Sequence, residues 1–156
     1  MIHGEPDLFK GLTAEETERA LAFGTRITIA RGAELFRLGD PADRLFLIDR
    51  GRIRLTLPME VRGRHEDVLV EERSPGQTVG WSALIPPYRF TLTASTPLET
   101  EVIAFSRDAL REHFAAFPSV GYAVAVNLAS VIGQRLQLFQ TMWLREMQRT
   151  VELRCA

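Results

Sequence analysis

Cysteine is almost absent from this chain. Cys155 is the single cysteine among 156 residues, and it lies next to the C-terminal residue. One thiol has no internal partner, so no disulfide is expected, and a free terminal thiol is the simplest interpretation. A chain without disulfides is typical of the reducing cytoplasm, and we expect the cytoplasm as its compartment.

An excess of basic charge is also lacking. The sequence has 19 Lys and Arg residues against 20 Asp and Glu residues, with Lys10 as the only lysine. A domain that binds nucleic acid by itself usually carries a basic face, so we expect no direct nucleic-acid binding by this chain. No apolar run is long enough to span a membrane, and the first seven residues lack the basic region and apolar core of a signal peptide.

Motifs for catalysis and metal binding are missing as well. No nucleophile elbow, phosphate-loop lysine or paired-carboxylate spacing stands out, so we do not expect an enzyme. The histidines, His3, His65 and His113, do not fall at metal-ligand spacing, which predicts no metal site. Haem binding, with His65 in a hairpin as the residue to consider, stays open as an alternative.

The sequence does contain short alternating segments separated by glycines. Between Glu34 and Phe105, apolar residues alternate with polar ones, as half-buried strands require. Gly39, Gly51 and Gly76 fall between these segments and are predicted as structural turns, because glycine reaches positive φ without a Cβ clash. This spacing favours a roll of two sheets over a parallel α/β sheet. Strands are predicted over 25–30, 34–38, 44–49, 52–58, 68–72, 78–79, 90–94 and 99–105, with a polar hairpin connection over 60–67.

Helical signals flank the predicted roll. Thr13 and Glu16 fit a capping box at the start of a helix that ends near Gly24. Behind the roll, the period of the apolar residues changes from two to about 3.6, and Ser106 is expected to cap a short helix. The expected organisation is one domain, with an N-terminal helix over 1–24, the β-roll over 25–105 and C-terminal helices over 106–156.

Two motifs carry a resemblance to a known family. Residues 36–53 fit the pattern F-x-x-G-D-x-x-D-x-[LF]-x-[IL]-x-x-G-x-[IV], and residues 75–80 fit P-G-x-x-x-G. The chain resembles the cyclic-nucleotide-binding domain family, which includes catabolite-activator-type regulators, kinase regulatory subunits and gated channels. The resemblance covers nearly the whole chain. It implies a mainly β fold, a cupin-like double-stranded β-roll (jelly roll) with an N-terminal helix and a long C-terminal helix.

The sequence departs from this family in its phosphate-binding cassette. The family usually has Gly-Glu-hydrophobic-Ala-Leu, then a short loop and Arg-Ser/Thr-Ala; the glutamate accepts from the ribose and the arginine holds the cyclic phosphate. Here Trp81 stands at the glutamate position, and an indole accepts no hydrogen bond. Tyr88 stands at the arginine position and Arg89 one residue later, where a strand turns its side chain to the opposite face unless a bulge directs it back. Cyclic AMP is therefore expected to bind weakly or not at all.

Two interpretations of the pocket remain open. The pocket either accepts an unidentified anionic or aromatic small molecule, or the large side chains plug it and the roll is purely structural. By the resemblance, the C-terminal helix would cover the ligand, with Asn127, Ser130 and Gln134 facing the mouth of the roll. The alternative for these three residues is a polar interior of a dimer seam that fixes its register. The candidate ligand-binding residues are Gly80, Trp81, Ser82, Ala83, Tyr88, Arg89, Thr91, Asn127, Ser130 and Gln134.

A long helix predicted from Pro118 to about Leu153 carries more apolar surface than one small roll can bury. We expect a parallel homodimer through this helix, and bacterial transcription factors of the family dimerise on the same element. Arg135 and Gln134 interrupt the predicted seam. The candidate interface residues are Leu128, Val131, Ile132, Leu136, Phe139, Met142, Trp143 and Met147.

The expected function is that of a non-enzymatic sensor domain, dimeric through its C-terminal helix. It would be the effector domain of a Crp/Fnr-type transcription regulator or a stand-alone relative. The alternatives left open are a protein-interaction module with a plugged pocket, which implies a protein partner, and a haem or gas sensor.

Overall fold

The eight strands form two four-stranded antiparallel sheets. The computed structural model describes residues 2–156. One sheet has the strand order β1-β8-β3-β6 and the other the order β2-β7-β4-β5. The strands are β1 (Thr25–Ile29), β2 (Glu34–Phe36), β3 (Arg44–Arg50), β4 (Ile53–Val61), β5 (Arg64–Arg73), β6 (Thr78–Val79), β7 (Thr93–Ser95) and β8 (Thr100–Ser106). The predicted mainly β roll is therefore confirmed.

Helices lie before and after this roll. They are α1 (Ala14–Ala22), α2 (Arg107–Ala116) and α3 (Pro118–Cys155), with 3-10 helices at Asp7–Phe9 and Trp81–Ala83. The Thr13 hydroxyl accepts from the N–H of Glu16, whose carboxylate accepts from the N–H of Thr13, and this capping box fixes the start of α1. The Ser106 hydroxyl caps α2 by accepting from the N–H of Ala109 at 3.1 Å. Among residues 2–156, no helix combines the length and apolarity needed to cross a membrane.

The hairpin of β4 and β5 is longer than the sequence indicates. The polar segment 60–67, predicted as a connection, is part of the paired strands, with Glu60 opposite His65 and Val61 opposite Arg64. Arg62 and Gly63 make the turn with φ values of 53° and 74°. Two successive residues at positive φ suit a two-residue hairpin, because such a turn matches the twist of the strands. The prediction of a long polar connection is wrong for this reason.

The core lies between the two sheets and beneath the helices. Leu45, Ile48 and Phe105 are fully buried at its centre. Rings of Phe9 and Phe23 contact the ring of Phe105 edge-on, with centroids 5.8 and 5.6 Å away, and so attach the N-terminal segment to the roll. The predicted corners at Gly39, Gly51 and Gly76 have φ values of 89°, 90° and 84°. α3 packs onto this core mainly through α2 and the 3-10 helix at Asp7–Phe9.

α3 contacts the roll with only one of its faces. Its 38 residues span about 57 Å at 1.5 Å per residue, far more than the roll can cover. The buried positions are Val120, Val124, Leu128, Val131 and Arg135. Leu128 and Val131 are therefore unavailable to a second copy, and Ile132 and Phe139 pack against the core of their own chain. The predicted interface is corrected at Leu128 and Val131, which are buried within their own chain, whereas Ile132, Phe139 and Met142 are half-buried and stay predictions.

A second face of α3 has no partner within the described chain. We call it the exposed stripe. Its residues recur at alternating steps of four and three, the spacing of a coiled-coil seam. Gln140 falls in the same series and is its one polar member. The exposed stripe consists of Tyr122, Val126, Ala129, Gly133, Leu136, Gln140, Trp143 and Met147, of which Gly133 alone is half-buried.

Candidate ligand-binding site

The backbone of the phosphate-binding cassette is retained. Gly80 follows β6 with φ 79° and leads into the 3-10 helix of Trp81–Ala83. A Cβ on Gly80 would lie 3.2 Å from the carbonyl oxygen of Arg44 and 3.2 Å from the ring of Phe90. Glycine is therefore required both by its φ and by the close approach of its neighbours. Ser82 and Ala83 are buried directly behind it.

The side chains at the cassette positions differ in chemistry from those that are usual in the family. The Trp81 indole is half-buried and lines the cavities beneath α3. An indole offers one N–H donor and no acceptor, so it cannot accept from a ribose hydroxyl as a carboxylate does. The substitution replaces a charged acceptor by an apolar wall.

Tyr88 and Arg89 lie outside the cavities beneath α3. Tyr88 has φ 57°, and its ring lies 4.3 Å from the guanidinium carbon of Arg107. Arg89 is exposed and donates from Nη1 to the carbonyl oxygen of Gly39 at 2.8 Å. Neither residue is among those that line the two cavities. Their expected place in the pocket is corrected: Arg89 lies outside the strands, in an isolated bridge to Pro41, and its hydrogen bond to Gly39 holds the side chain outside the cavities.

The interior space next to the cassette is small. It measures about 20 Å³ and lies between Gly80, Ser82, Phe90 and Arg135. Rings of Phe36 and Phe90 stack at 3.7 Å between centroids and fill the adjoining volume. A space of this size holds about one water molecule and no nucleotide.

A larger cavity opens outward between the roll and α3. It measures about 290 Å³ and shares Trp81, Thr91, Leu92 and Arg135 with the small interior space. Ile132, Leu136 and Phe139 of α3 and Leu57 of β4 supply its remaining walls. Of the predicted ligand residues, the structure brings Gly80, Trp81, Ser82 and Thr91 together around these two spaces.

Asn127, Ser130 and Gln134 lie on another side of α3. They line a separate cavity of about 270 Å³ with Asp7 and Arg73. The Asn127 amide donates to the carbonyl oxygens of Leu8 at 2.9 Å and Lys10 at 2.8 Å, which ties α3 to the N-terminal segment. Their expected position over the roll mouth is corrected, because burial of Val124, Leu128 and Val131 fixes the rotation of the helix.

Arg135 is the residue of this site that the sequence did not reveal. Its side chain is only 7% exposed, and its Nε donates to Glu71 Oε2 at 2.7 Å. Burial lowers the pKa of the Arg135 guanidinium, while Glu71 opposes this effect and Arg73 adds to it. The signal in the sequence was its position. Arg135 lies four residues after Val131 and therefore falls on the same buried face of α3.

Glu71 connects Arg135 to a buried network. Its Oε1 accepts from Arg73 Nη1 at 2.9 Å, and Arg73 Nη2 donates to Asp7 Oδ2 at 3.0 Å. Asp7 also accepts from the hydroxyl of Thr78 at 2.6 Å and from its N–H at 3.1 Å. The larger cavity is thus linked through three ion pairs, from Arg135 to Glu71, Arg73 and Asp7, to β6 and to the N-terminal segment.

The histidines are not assembled into a site. His65 lies exposed in the β4–β5 hairpin, 3.6 Å from Asp67. His113 packs against the rings of Phe23 and Phe117 with centroids about 5 Å away. Within residues 2–156, no group of three His, Cys, Asp or Glu side chains is placed to hold a metal ion.

The cassette backbone, the two sheets and the covering helix define a class of regulatory β-roll. Residues 26–117 match the family model described as the cyclic nucleotide-binding domain. This match spans more than half of the chain, and the chain belongs to that family.

Comparisons with individual proteins agree with this family. The structure is similar to the catabolite activator protein of Thermus thermophilus, with a TM-score of 0.74 and 26% identity over 91% of this chain and 63% of that one. The sequence is 29% identical to the cyclic AMP receptor protein of the same organism, over 87% of this chain and 59% of the relative. It is also 32% identical to a Bradyrhizobium diazoefficiens protein named Glutaminase 1, over 85% of this chain but 20% of that protein. The chain thus spans between a fifth and about three fifths of the length of these relatives.

Proposed function

We propose that this chain is the sensor domain of a dimeric regulator of the Crp/Fnr type. A small molecule in the cavity beneath α3 would change the position of α3, and α3 would carry the change to a second copy. The domain would have no catalytic activity and no nucleic-acid contact of its own. The single observation that carries this proposal is the exposed stripe on the same helix that closes the cavity, with Leu136 shared between the two.

The exposed stripe favours a second copy of the chain as its partner. Tyr122, Val126, Leu136 and Trp143 are between 51% and 75% exposed, although all four are large and apolar. An added Cβ at Gly133 would meet nothing within 4 Å, so the helix backbone is open to close approach there. A continuous seam at heptad spacing with one polar member is the pattern by which two parallel helices pair in register.

Cyclic AMP is proposed to be a poor ligand of this domain. The ribose acceptor is replaced by Trp81, Arg89 donates outward to Gly39, and stacked rings fill the interior. Each missing charged contact removes on the order of 1.5–3 kcal/mol of binding free energy. Two such losses weaken binding by about two to four powers of ten.

The oligomeric state tests the proposed dimer. Light scattering on the whole chain is expected to give the mass of a dimer for the wild type and a monomer for Leu136→Glu, because the new carboxylate would be buried in the seam. Thr141→Glu is the matched control, since Thr141 is exposed on the same helix but lies outside the exposed stripe. A dimer that survives Leu136→Glu, or a wild-type monomer, would contradict the proposal.

A second candidate function is supported by the filled interior. With Phe36 and Phe90 stacked next to the cassette and only about 20 Å³ left, the roll resembles a plugged scaffold that acts by binding another protein. Ligand titration separates the two candidates, because a plugged roll shows no saturable binding in the larger cavity.

A further inference from the structure

The cavity beneath α3 combines apolar walls with one charged group. Its volume of about 290 Å³ is near the lower end of the range for small-molecule sites, about 300–1,000 Å³. Six of its eight lining residues are apolar or aromatic, and Thr91 adds a hydroxyl. Arg135 is the only charged residue among them. A few polar groups set in an apolar wall are typical of sites that orient a small ligand.

Arg135 has more hydrogen-bonding capacity than the protein uses. A guanidinium carries five N–H donors, and here only Nε has an acceptor, at Glu71. The terminal nitrogens of Arg135 donate to no acceptor among residues 2–156. Glu71 is itself shared with Arg73, so Arg135 receives one oxygen of a carboxylate that serves two cations. Neither terminal nitrogen is among the fully buried unpaired atoms of the described chain, so both retain some exposure, and an anion in the cavity would replace water there with a charged hydrogen bond.

The remaining groups restrict the kind of anion. Arg89 and Arg107 are engaged with Gly39 and with the ring of Tyr88, so neither offers a second positive charge to the cavity. A single planar guanidinium matches a carboxylate, which it can bind through two parallel hydrogen bonds. A sugar would need several further polar partners, and the apolar walls do not supply them. Trp81 and Phe139 instead offer flat apolar surfaces.

We infer that this cavity binds a small organic acid with one carboxylate and an apolar aliphatic or aromatic body. The carboxylate would sit on the terminal nitrogens of Arg135, and the body would lie against Trp81 and Phe139. The inference rests on the sensing function proposed above and names the chemical class of the effector.

Calorimetry on the whole chain tests the ligand class. The probes are hexanoate, octanoate, indole-3-acetate and 4-phenylbutyrate, with 4-phenylbutanol as the neutral counterpart of the last acid and cyclic AMP for comparison. At least one acid is expected to bind saturably, and 4-phenylbutyrate is expected to bind at least about tenfold more tightly than the alcohol, since a charged hydrogen-bonded pair adds this much.

Two variants that break the same ion pair test the role of Arg135. Arg135→Gln is expected to weaken 4-phenylbutyrate at least about tenfold and to leave 4-phenylbutanol within about twofold. Glu71→Gln is expected to tighten 4-phenylbutyrate, because it removes the carboxylate that competes for the guanidinium. If the ion pair were purely structural, both variants would change the affinity for 4-phenylbutyrate in the same direction. If Arg135→Gln or Glu71→Gln does not fold, the acid–alcohol comparison on the wild-type chain decides the question.

Three results would overturn the inference. They are equal affinity for 4-phenylbutyrate and 4-phenylbutanol, weaker acid binding in Glu71→Gln, and no saturable binding of any acid at 5 mM. If cyclic AMP binds while the acids do not, the ligand class is wrong and the sensing function stands. If neither binds, the sensing function fails as well, and the light-scattering result decides separately whether α3 forms a dimer.

Discussion

Replacement of Glu71 by glutamine should destabilise the fold more than removal of its partner Arg135 does. Glu71 pairs with two guanidinium groups, Arg73 at 2.9 Å and Arg135 at 2.7 Å, whose side chains are 5% and 7% exposed. Removing one partner of a buried ion pair costs about 3–5 kcal/mol, because the remaining charge is left in an apolar surrounding. The Glu71 side chain is itself 23% exposed, so water offsets part of this cost. We expect a loss of about 2–4 kcal/mol in the free energy of unfolding.

Thermal unfolding followed by circular dichroism measures this loss at a fixed protein concentration. For a chain of 156 residues, a change of this size corresponds to a decrease in Tm of about 5–15 °C. Arg135→Met removes a cation and leaves Glu71 bound to Arg73, so we expect it to cost less than Glu71→Gln. Glu72→Gln is the control, because Glu72 pairs with Arg52 and Arg54 at the surface. The reasoning is refuted if Glu71→Gln unfolds within 2 °C of the wild type, or if Arg135→Met is the less stable of the two variants.

Two further predictions concern pH. Burial alone would raise the pKa of Asp49, but hydrogen bonds from Arg26 and from the His3 N–H outweigh it and hold the pKa below its ordinary value. The stability from this carboxylate is present near neutral pH and is lost as the pH falls through the lowered pKa. Between about pH 5 and pH 2, the Tm of Asp49→Asn should therefore decrease less than the Tm of the wild type, and an equal decrease would contradict this. Burial, and secondarily Arg19, lowers the pKa of His113, so protonation favours the unfolded state. The stability from the neutral His113 is then present above about pH 6.5 and lost as the pH falls below it. His113→Phe should therefore remove the decrease in Tm between about pH 7 and pH 5, and an unchanged decrease would show that another group titrates.

The sequence predicted those features of the fold that local chemistry decides. The capping box of Thr13 and Glu16 depends on residues three apart, and the turns at Gly39 and Gly51 depend on one residue that tolerates positive φ. The full β4–β5 hairpin was not predicted, because residues 60–67 are mostly polar and solvated, and an exposed strand leaves no apolar alternation to detect.

The candidate site could be predicted only in part, because its geometry depends on how α3 docks. The cassette at Gly80 follows from a local motif. Which face of α3 meets the roll is a tertiary property, since apolar residues occur on more than one face of this helix. Arg135 was therefore interpreted as a break in a dimer seam, whereas it lies in the buried face. Asn127 was assigned to the cassette pocket, whereas it lines neither cavity next to the cassette.

Leu136 belongs both to the exposed stripe and to the wall of the larger cavity, and this double role predicts that ligand binding and dimerisation are coupled. If a second copy packs on Leu136, the dimer changes the cavity, and by thermodynamic reciprocity the ligand changes the dimer dissociation constant by the same factor. Trp143→Glu offers the test, because Trp143 is 62% exposed in the exposed stripe and does not line the cavity. We expect the monomeric variant to bind 4-phenylbutyrate with an affinity that differs from that of the wild type by at least about fivefold, the lower end of typical coupling between sites.

The direction of that difference decides how the domain would signal. Tighter binding by the wild-type dimer means that the effector favours the paired arrangement of α3, and weaker binding means that it favours the separated one. Thr141→Glu, which changes the charge of the same helix outside the exposed stripe, should retain the wild-type affinity. Equal affinities in the wild type and in Trp143→Glu, with the variant shown to be monomeric, would mean that Leu136 closes the cavity without transmitting its occupancy. In that case α3 would be an assembly element only, because a ligand with equal affinity for both states shifts no equilibrium between them.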